Sequence, residues 1–271
     1  MISGKTRIAA VLGWPIDHTR SPVMMNAAFA AAGIDAALVP IGVPPHGFAA
    51  AIEGLRASRM LGASVTVPHK LAAVALCDEL SPAATAIGAV NCLVLEGTRL
   101  VGHNTDCLGF ADALAAASFD VRGRRCVLLG AGGAARAVAY GLRAAESIDV
   151  IARRPADVSW ARALEWSHET LRDAFAHADL VIDCTPAGLE EIADTDFTAA
   201  LPIDALGPHA WIVTLVYHRR TKLLERASER GHSTLDGRAM LVHQGARAFR
   251  IWTGQPAPIE VMTRALDDDL R

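Results

Sequence analysis

The chain has 271 residues, 52% of them hydrophobic, with 26 basic and 29 acidic side chains and a formal charge of −3. That length suits two ordinary domains or one large one with a sizeable core, and the apolar content argues against disorder. Charge spread without long runs leaves no footprint for nucleic acid or a membrane surface, and no stretch approaches the ~20 apolar residues that span a bilayer.

Short apolar runs alternate with alanine-rich stretches, the pattern of an α/β chain whose parallel strands are covered by helices. Ile8 to Gly13 predicts the first strand. A helix follows from Ser21-Pro22 to Ala32, with the Ser21 hydroxyl as cap, the proline in the first turn and Gly33 as its stop. Ala37 to Ile41 reads as a strand, Pro44-Pro45-His46-Gly47 as a turn and Phe48 to Ala57 as a helix. The next strand, around Ala63 to Val67, is closed by Pro68, and a helix is expected to begin with His69-Lys70. Lys70 then stands at a strand-to-helix junction, where catalytic side chains of open α/β sheets often project. Val90 to Leu95 and Arg99 to Gly102 predict two strands joined by Glu96-Gly97-Thr98. Asn104-Thr105-Asp106 opens a helix to about Ala117.

A second βαβ series starts at Arg124, with a strand from Cys126 to Leu129, a turn from Gly130 to Gly133, a helix from Ala134 to Ala144 and a strand from Ile148 to Ala152. Strands are expected at Leu180 to Cys184 and Trp211 to Leu215, and helices at Leu223 to Arg230 and Met240 to Thr253. No internal repeat, low-complexity tract or long linker interrupts the chain, and the motifs put the domain boundary near residues 105 to 120.

The strand, Gly130-x-Gly132-Gly133, helix arrangement offers bare backbone N–H groups and a helix N-terminus to a pyrophosphate. A second apolar strand ends about twenty residues later, where ribose recognition belongs. Its tip carries Ala152-Arg153-Arg154-Pro155 rather than an Asp or Glu. Two guanidinium groups there favour a 2′-phosphate, hence NADP. A solvated surface pair is the plainer reading of these arginines, and Asp157 keeps NAD as the lesser alternative. Lys70 alone reads as an exposed lysine and Asp106 as a helix cap. Together they suit carbonyl reduction, in which an ammonium serves the oxygen that becomes a hydroxyl and a carboxylate orients it.

Taken in order, the motifs resemble the shikimate dehydrogenases and their quinate/shikimate relatives over nearly the whole chain. They are Gly13-x-Pro15 with Ser21-Pro22 and Asn26, Val65-Thr66-Val67-Pro68-x-Lys70, Gly88-Ala89-Val90-Asn91, Asn104-Thr105-Asp106, Gly130-Ala131-Gly132-Gly133-Ala134-x-Arg136, Asp236-Gly237 with Met240-Leu241, and Gln244. The resemblance implies an N-terminal α/β substrate domain over residues 1–106, joined by a C-terminal helix at 240–271, and a C-terminal Rossmann dinucleotide-binding domain over 107–239, with the active site in the cleft between them. It implies NADP-dependent interconversion of 3-dehydroshikimate and shikimate, on the chorismate route to aromatic amino acids.

Carried over by position, Lys70 and Asp106 match the catalytic pair. Thr66, Asn91 and Gln244 match positions that bind ring hydroxyls; Thr19, Ser21 and Tyr217 match those that hold the substrate carboxylate. Gly130, Gly132, Gly133 and Ala134 match the phosphate loop, Arg153 and Arg154 the adenosine phosphate clamp, and Thr185 and Gly237 the nicotinamide end.

Several positions depart from the family pattern. Thr19 stands where the first serine of the carboxylate pair is usual, Ser64 replaces a common asparagine, His103 puts a titratable group beside Asn104-Thr105-Asp106, and Thr214 replaces a frequent aspartate. The segment Tyr217-His218-Arg219-Arg220-Thr221 also lacks the usual proline. These departures keep open a related enzyme acting on quinate or another polyol acid, and a weakly catalytic shikimate-binding protein.

Cysteines 77, 92, 107, 126 and 184 show no CxxC spacing and fit reduced, buried thiols in a cytoplasmic protein. The ten histidines show no HExxH or paired spacing, so no metal site is expected. Trp160, Trp166, Trp211 and Trp252 read as packing residues and Trp14 as a neighbour of the substrate. The partners expected are a small-molecule substrate and the cofactor, in a monomer or homodimer, with neither nucleic acid nor membrane.

Overall fold

A computed structural model of the chain describes residues 2–189 and 191–271. In chain order the elements are β1 (Arg7–Gly13), α1 (Ser21–Ala31), β2 (Ala36–Gly42), α2 (Phe48–Ala57), β3 (Gly62–Val65), β4 (Glu79–Leu80), α3 (Pro82–Ile87), β5 (Cys92–Glu96), β6 (Arg99–His103) and α4 (Asp106–Ala116). They continue with β7 (Arg125–Leu129), α5 (Gly133–Gly141), β8 (Ser147–Ala152), β9 (Arg162–Glu165), α6 (His168–His177), β10 (Leu180–Asp183), α7 (Glu191–Ala199), β11 (Trp211–Thr214), α8 (Lys222–Glu229), β12 (Ser233–Leu235), α9 (Gly237–Thr253) and α10 (Ile259–Asp269).

The chain forms two compact units, Met1–Gly109 with Leu241–Arg271, and Phe110–Met240. In the first, a mixed six-stranded sheet runs β2-β1-β3-β5-β6-β4. Strands β1, β2 and β3 are parallel, while β5 lies antiparallel both to β3 and to its hairpin partner β6. Alternation along the strands divides their side chains between two apolar layers. Ala9, Leu38, Cys92, Val94 and Val101 pack with α1, α9 and α10 on one face; Ala10, Leu12, Ala63, Val65, Leu93 and Leu100 pack with α2 and α3 on the other.

The second unit holds a wholly parallel sheet in the order β12-β11-β10-β7-β8-β9. Numbered within the unit, this is the 3-2-1-4-5-6 order of the dinucleotide-binding Rossmann fold, whose ligand crevice lies at the carboxyl ends of the two central strands, here β7 and β10. Both faces are covered, and Val127, Leu128, Leu129, Val181 and Ile182 are at most 3% exposed. Such near-continuous apolar strands are what burial on two sides demands.

Four local expectations are corrected. No α-helix begins at His69-Lys70: residues 68–71 turn, and a short 3₁₀ segment follows at Ala72–Leu76. The Lys70 carbonyl, which a helix would give to residue 74, instead accepts from the Val90 N–H at 2.9 Å. Ser21 does not cap α1, because Arg20 occupies the cap position without a side-chain hydrogen bond and Ser21 is already the first helical residue. Helix α5 stops at Gly141, short of Ala144. The single C-terminal helix at 240–271 is two helices, parted by Gly254, at φ +72°, and by Pro256 and Pro258.

Candidate active site

In the first unit one sheet edge gathers the polar motifs. The carboxyl ends of β1 and β3 lead into Trp14 to Thr19 and Thr66 to Lys70. Antiparallel β5 is entered at this same edge through Asn91, and β6 leaves it through Asn104 to Asp106. Backbone bonds close the edge: Val65 N–H donates to the Asn91 carbonyl at 2.8 Å, Asn91 N–H to that of His103 at 3.0 Å, and Trp14 N–H to that of Val67 at 3.0 Å. Gly13 is required here, since a Cβ on it would lie 2.4 Å from the Thr66 methyl.

Lys70 Nζ donates to Asp106 Oδ2 at 2.7 Å. Asn91 Nδ2 donates to the other carboxylate oxygen, Oδ1, at 2.8 Å and to Thr105 Oγ1 at 2.9 Å, while its own Oδ1 accepts the Thr105 N–H at 2.6 Å. Both amide hydrogens of Asn91 are therefore spent within the protein. In this arrangement the residue orients the carboxylate, and giving a hydrogen to a ligand requires exchanging one of these bonds. Gln244 Oε1 stands 3.5 Å from both Asn91 Nδ2 and Thr105 Oγ1, and its Nε2 donates to the Leu241 carbonyl at 2.8 Å. Gln244 reaches the network because α4 and α9 touch at Gly109, where a Cβ would lie 2.6 Å from the Gln244 nitrogen.

Asp106, Asn91 and Thr105 are buried, while the Lys70 side chain keeps 23% of its exposure. A cation facing outward from an anchored carboxylate can act on a polar ligand at this edge. Thr19, Ser21 and Thr66 lie on the flanking loops, and Thr19 Oγ1 accepts the Ser21 N–H at a long 3.4 Å. Among the described residues no side-chain hydrogen bond ties these three to the Lys70 network.

In the second unit Gly130 leaves β7 at φ +94°, its N–H held by the Ile151 carbonyl at 2.9 Å. Gly132 precedes α5, whose first residue is Gly133 and second Ala134; a Cβ on either glycine would meet nothing within 4 Å. This bare, open cradle at the switch between β7 and β10 fits a pyrophosphate resting on backbone N–H groups. Thr185 closes it from the β10 side, with its methyl 3.2 Å from where a Gly130 Cβ would be.

Arg153 and Arg154 project from the tip of β8 into solvent, and Arg154 Nε pairs with Asp157 Oδ2 at 3.2 Å. Gly237 packs so tightly on Leu215 that a Cβ there would lie 2.1 Å from its carbonyl oxygen. Tyr217 follows β11 and meets His218 edge-on, with ring centroids 5.9 Å apart.

The sequence reading missed four contributors. Buried His69 donates from Nε2 to the Val43 carbonyl at 2.7 Å and stacks on Phe48 at 4.2 Å, fixing the turn that carries Lys70. Thr105 bridges Asn91 and Gln244. Buried Asp183, ending β10, accepts the Thr185 N–H at 2.8 Å. Burial pushes its carboxyl up to about 6, against the Thr185 hydrogen bonds that lower it, and Asp194 adds to the rise. Buried Asp194 pairs with Arg219. The lysine-and-aspartate motifs pointed toward the first two; only contacts distant in sequence reveal the others.

The departures also acquire places. His103 is half-buried with Nε2 sealed from solvent, and burial holds its imidazole below the usual range against Glu96 and Glu79, which favours the neutral ring. Ser64 pairs with Cys92 across the sheet. Thr214 is fully buried beside Asp183, and its Oγ1 accepts the Val216 N–H at 3.3 Å. All five cysteines are free, and burial raises the thiols of Cys77, to about 11, and of Cys92, Cys126 and Cys184. Among the described residues no helix is long and apolar enough to cross a membrane.

Residues 11–93 match the family described as the shikimate dehydrogenase substrate binding domain, residues 117–195 a putative NAD(P)-binding family, and residues 237–266 the shikimate 5′-dehydrogenase C-terminal domain. The shikimate dehydrogenase (NADP(+)) of Symbiobacterium thermophilum is 41% identical over 278 residues, covering 97% of this chain and 94% of that protein. The crystal structure of shikimate 5-dehydrogenase from Thermus thermophilus, in complex with NADP(H) and shikimate, superposes with a TM-score of 0.86 at 34% identity, covering 97% of this chain and 99% of that one. The ligand-free 5-ketofructose reductase of a Gluconobacter species is also similar, with a TM-score of 0.84 at 28% identity, covering 98% of this chain and 100% of that one.

Proposed function

The chain belongs to the shikimate dehydrogenase family, and from that membership we propose that it interconverts 3-dehydroshikimate and shikimate with NADP as redox partner. The observation that carries this reading is the Lys70–Asp106 pair, 2.7 Å apart and anchored by Asn91, in a chain that also holds the open Gly130–Gly133 cradle.

When bound, the nicotinamide supplies the hydride to the substrate carbonyl carbon, or takes it back in the reverse direction. The residues do the remainder. In reduction, Lys70 donates a proton to the carbonyl oxygen as charge develops there, and in oxidation it receives the proton from the hydroxyl. Asp106 holds the ammonium through Oδ2, and Asn91 with Thr105 holds Asp106. Gln244 and Thr66 bind ring hydroxyls, joined by Asn91 when it exchanges a bond; Thr19, Ser21 and Tyr217 bind the carboxylate. Gly130 turns the loop, its own N–H being held by Ile151, and backbone N–H groups from Ala131 through Gly132 and Gly133 to Ala134 bind the pyrophosphate, Arg153 and Arg154 the 2′-phosphate, and Thr185 and Gly237 border the nicotinamide. Residues 1–106 with 240–271 make up the substrate-binding and catalytic part and 107–239 the NADP-binding part, in a cytoplasmic monomer or homodimer.

A second reading, reduction of another polyol ketone, draws on the similarity to 5-ketofructose reductase and on the extra methyl of Thr19. Absorbance at the reduced-nicotinamide band decides between them, with shikimate, quinate and 5-ketofructose each offered with NADP(H) and NAD(H). Fast turnover of shikimate with NADP supports the first reading. Turnover of another compound alone supports the second, and none with any pair rejects both.

A further inference from the structure

Asp194, in α7, is 1% exposed as a side chain, and its charge is met by Arg219, whose Nη1 lies 3.1 Å from Asp194 Oδ2. The same nitrogen donates to the Gly188 carbonyl at 3.1 Å. The carboxylate is satisfied further by the Lys222 N–H at 2.7 Å and the Thr198 hydroxyl at 3.3 Å. A charge this deeply buried is tolerated only when paired and hydrogen-bonded, so the guanidinium is held firmly once in place.

Three backbone segments meet at this pair. Gly188 belongs to the Ala187–Leu189 turn, which is tied back to Thr185 because the Ala187 N–H donates to Thr185 Oγ1 at 3.2 Å. Gly188 also lies flush against the Tyr217 segment, since a Cβ on it would stand 2.9 Å from the Thr221 methyl and 3.0 Å from that of Val216. Val216 in turn accepts the Gly237 N–H at 2.9 Å. One ion pair on a buried carboxylate, with a partly buried guanidinium, thus fastens residues 216–221 to the turn after Thr185, with Tyr217 two positions from Arg219. The segment Tyr217-His218-Arg219-Arg220-Thr221 contains no proline to stiffen it.

Building on the proposed function, we infer that Arg219, through Asp194 and the Gly188 carbonyl, is a positioning residue that sets Tyr217 for the substrate carboxylate. Arg219 itself touches neither substrate nor cofactor. Its contribution is read as affinity for the carboxylate-bearing substrate, with little change in the turnover of bound substrate.

The chain has two tyrosines, Tyr140 and Tyr217, so labelling with 3-fluorotyrosine gives two ¹⁹F resonances that a Tyr140→Phe variant assigns. Arg219→Gln combined with Asp194→Asn removes both charges and leaves no buried carboxylate uncompensated. The expected result is a Tyr217 line displaced toward free fluorotyrosine beside an unchanged Tyr140 line. The KM for shikimate is expected to rise about tenfold with kcat within about threefold, and the change should vanish in a Tyr217→Phe background, as coupling through one side chain requires. If the double variant loses both lines to unfolding, Arg219→Lys takes its place, keeping a charge for Asp194 without the reach to both acceptors. An unmoved Tyr217 line, or a KM change that persists undiminished in Tyr217→Phe, overturns the inference. Wild-type protein that does not turn over shikimate refutes the proposed function instead, and the ¹⁹F shift still decides whether Arg219 positions Tyr217.

Discussion

Asp183→Asn is expected to stabilise the protein at alkaline pH and to have little effect in acid. Asp183 is 2% exposed, and its carboxyl is raised by burial from 3.8 to about 6. Between those values the folded chain keeps a proton that the unfolded chain has released, so stability falls as pH rises through this window. At 1.4 kcal/mol per pH unit the full loss is roughly 3 kcal/mol, complete above about pH 7. Asparagine keeps an oxygen to accept the Thr185 N–H and has no charge to bury. At pH 8 the variant therefore gains up to roughly 3 kcal/mol over wild type, and near pH 4 the two converge. Urea unfolding followed by tryptophan fluorescence at pH 4.5, 6 and 8 measures the difference. A variant less stable than wild type at pH 8, or a difference independent of pH, refutes the argument and means that the Asp183 charge is compensated when the chain is folded.

Lys70→Ala is expected to lower kcat by roughly 10²- to 10⁴-fold, the range for loss of a general acid or base, with NADP affinity unchanged by titration calorimetry. Replacing Arg153 and Arg154 together by alanine should weaken NADP by about tenfold or more, as lost charge-assisted contacts would, while NAD binding stays within about twofold, both read from fluorescence titrations. Gly109→Ala places a methyl 2.6 Å from the Gln244 nitrogen, so the melting curve should register a loss of roughly 1–3 kcal/mol and the KM for shikimate should rise.

The α/β class and the order of its parts were legible because buried parallel strands such as those through Cys126–Leu129 and Leu180–Ile182 are unbroken apolar runs. Elements with weaker patterns escaped notice. β4 has only Glu79 and Leu80, β9 (Arg162–Glu165) begins and ends on exposed charges, and α6 and α10 are rich in polar residues. The Lys70 turn was misread as helical because nothing local says that its carbonyl serves Val90, twenty positions on. Site residues split along the same line. Lys70, Asp106, Gln244 and the glycines stand in motifs that can be read one by one, whereas the partnership of Gln244 with Thr105 spans 139 residues and that of Lys222 with Asp194 spans 28. Chemistry fixed by neighbours in sequence shows in a single chain; chemistry fixed by long-range packing needs the fold.

The two units handle a buried carboxylate at a sheet edge in different ways, and the difference follows from what each must do. Asp106 has a cation on one oxygen and a neutral amide on the other. A second cation in place of Asn91 would compete with Lys70 for the carboxylate and loosen the ammonium. The amide fixes direction and leaves the ionic partnership to Lys70 alone. Asn91 and Thr105 saturate each other at the same time, so neither is left as an unpaired buried group, whose cost would rival the gain from orienting the carboxylate. Asp183 is held by Thr185 with, among the described residues, no comparable cation beside it, and burial accordingly disfavours its charged form. A group that must keep an ammonium in place is given that cation as its direct partner, whereas one that only shapes a loop beside the phosphate cradle can be left to take up a proton.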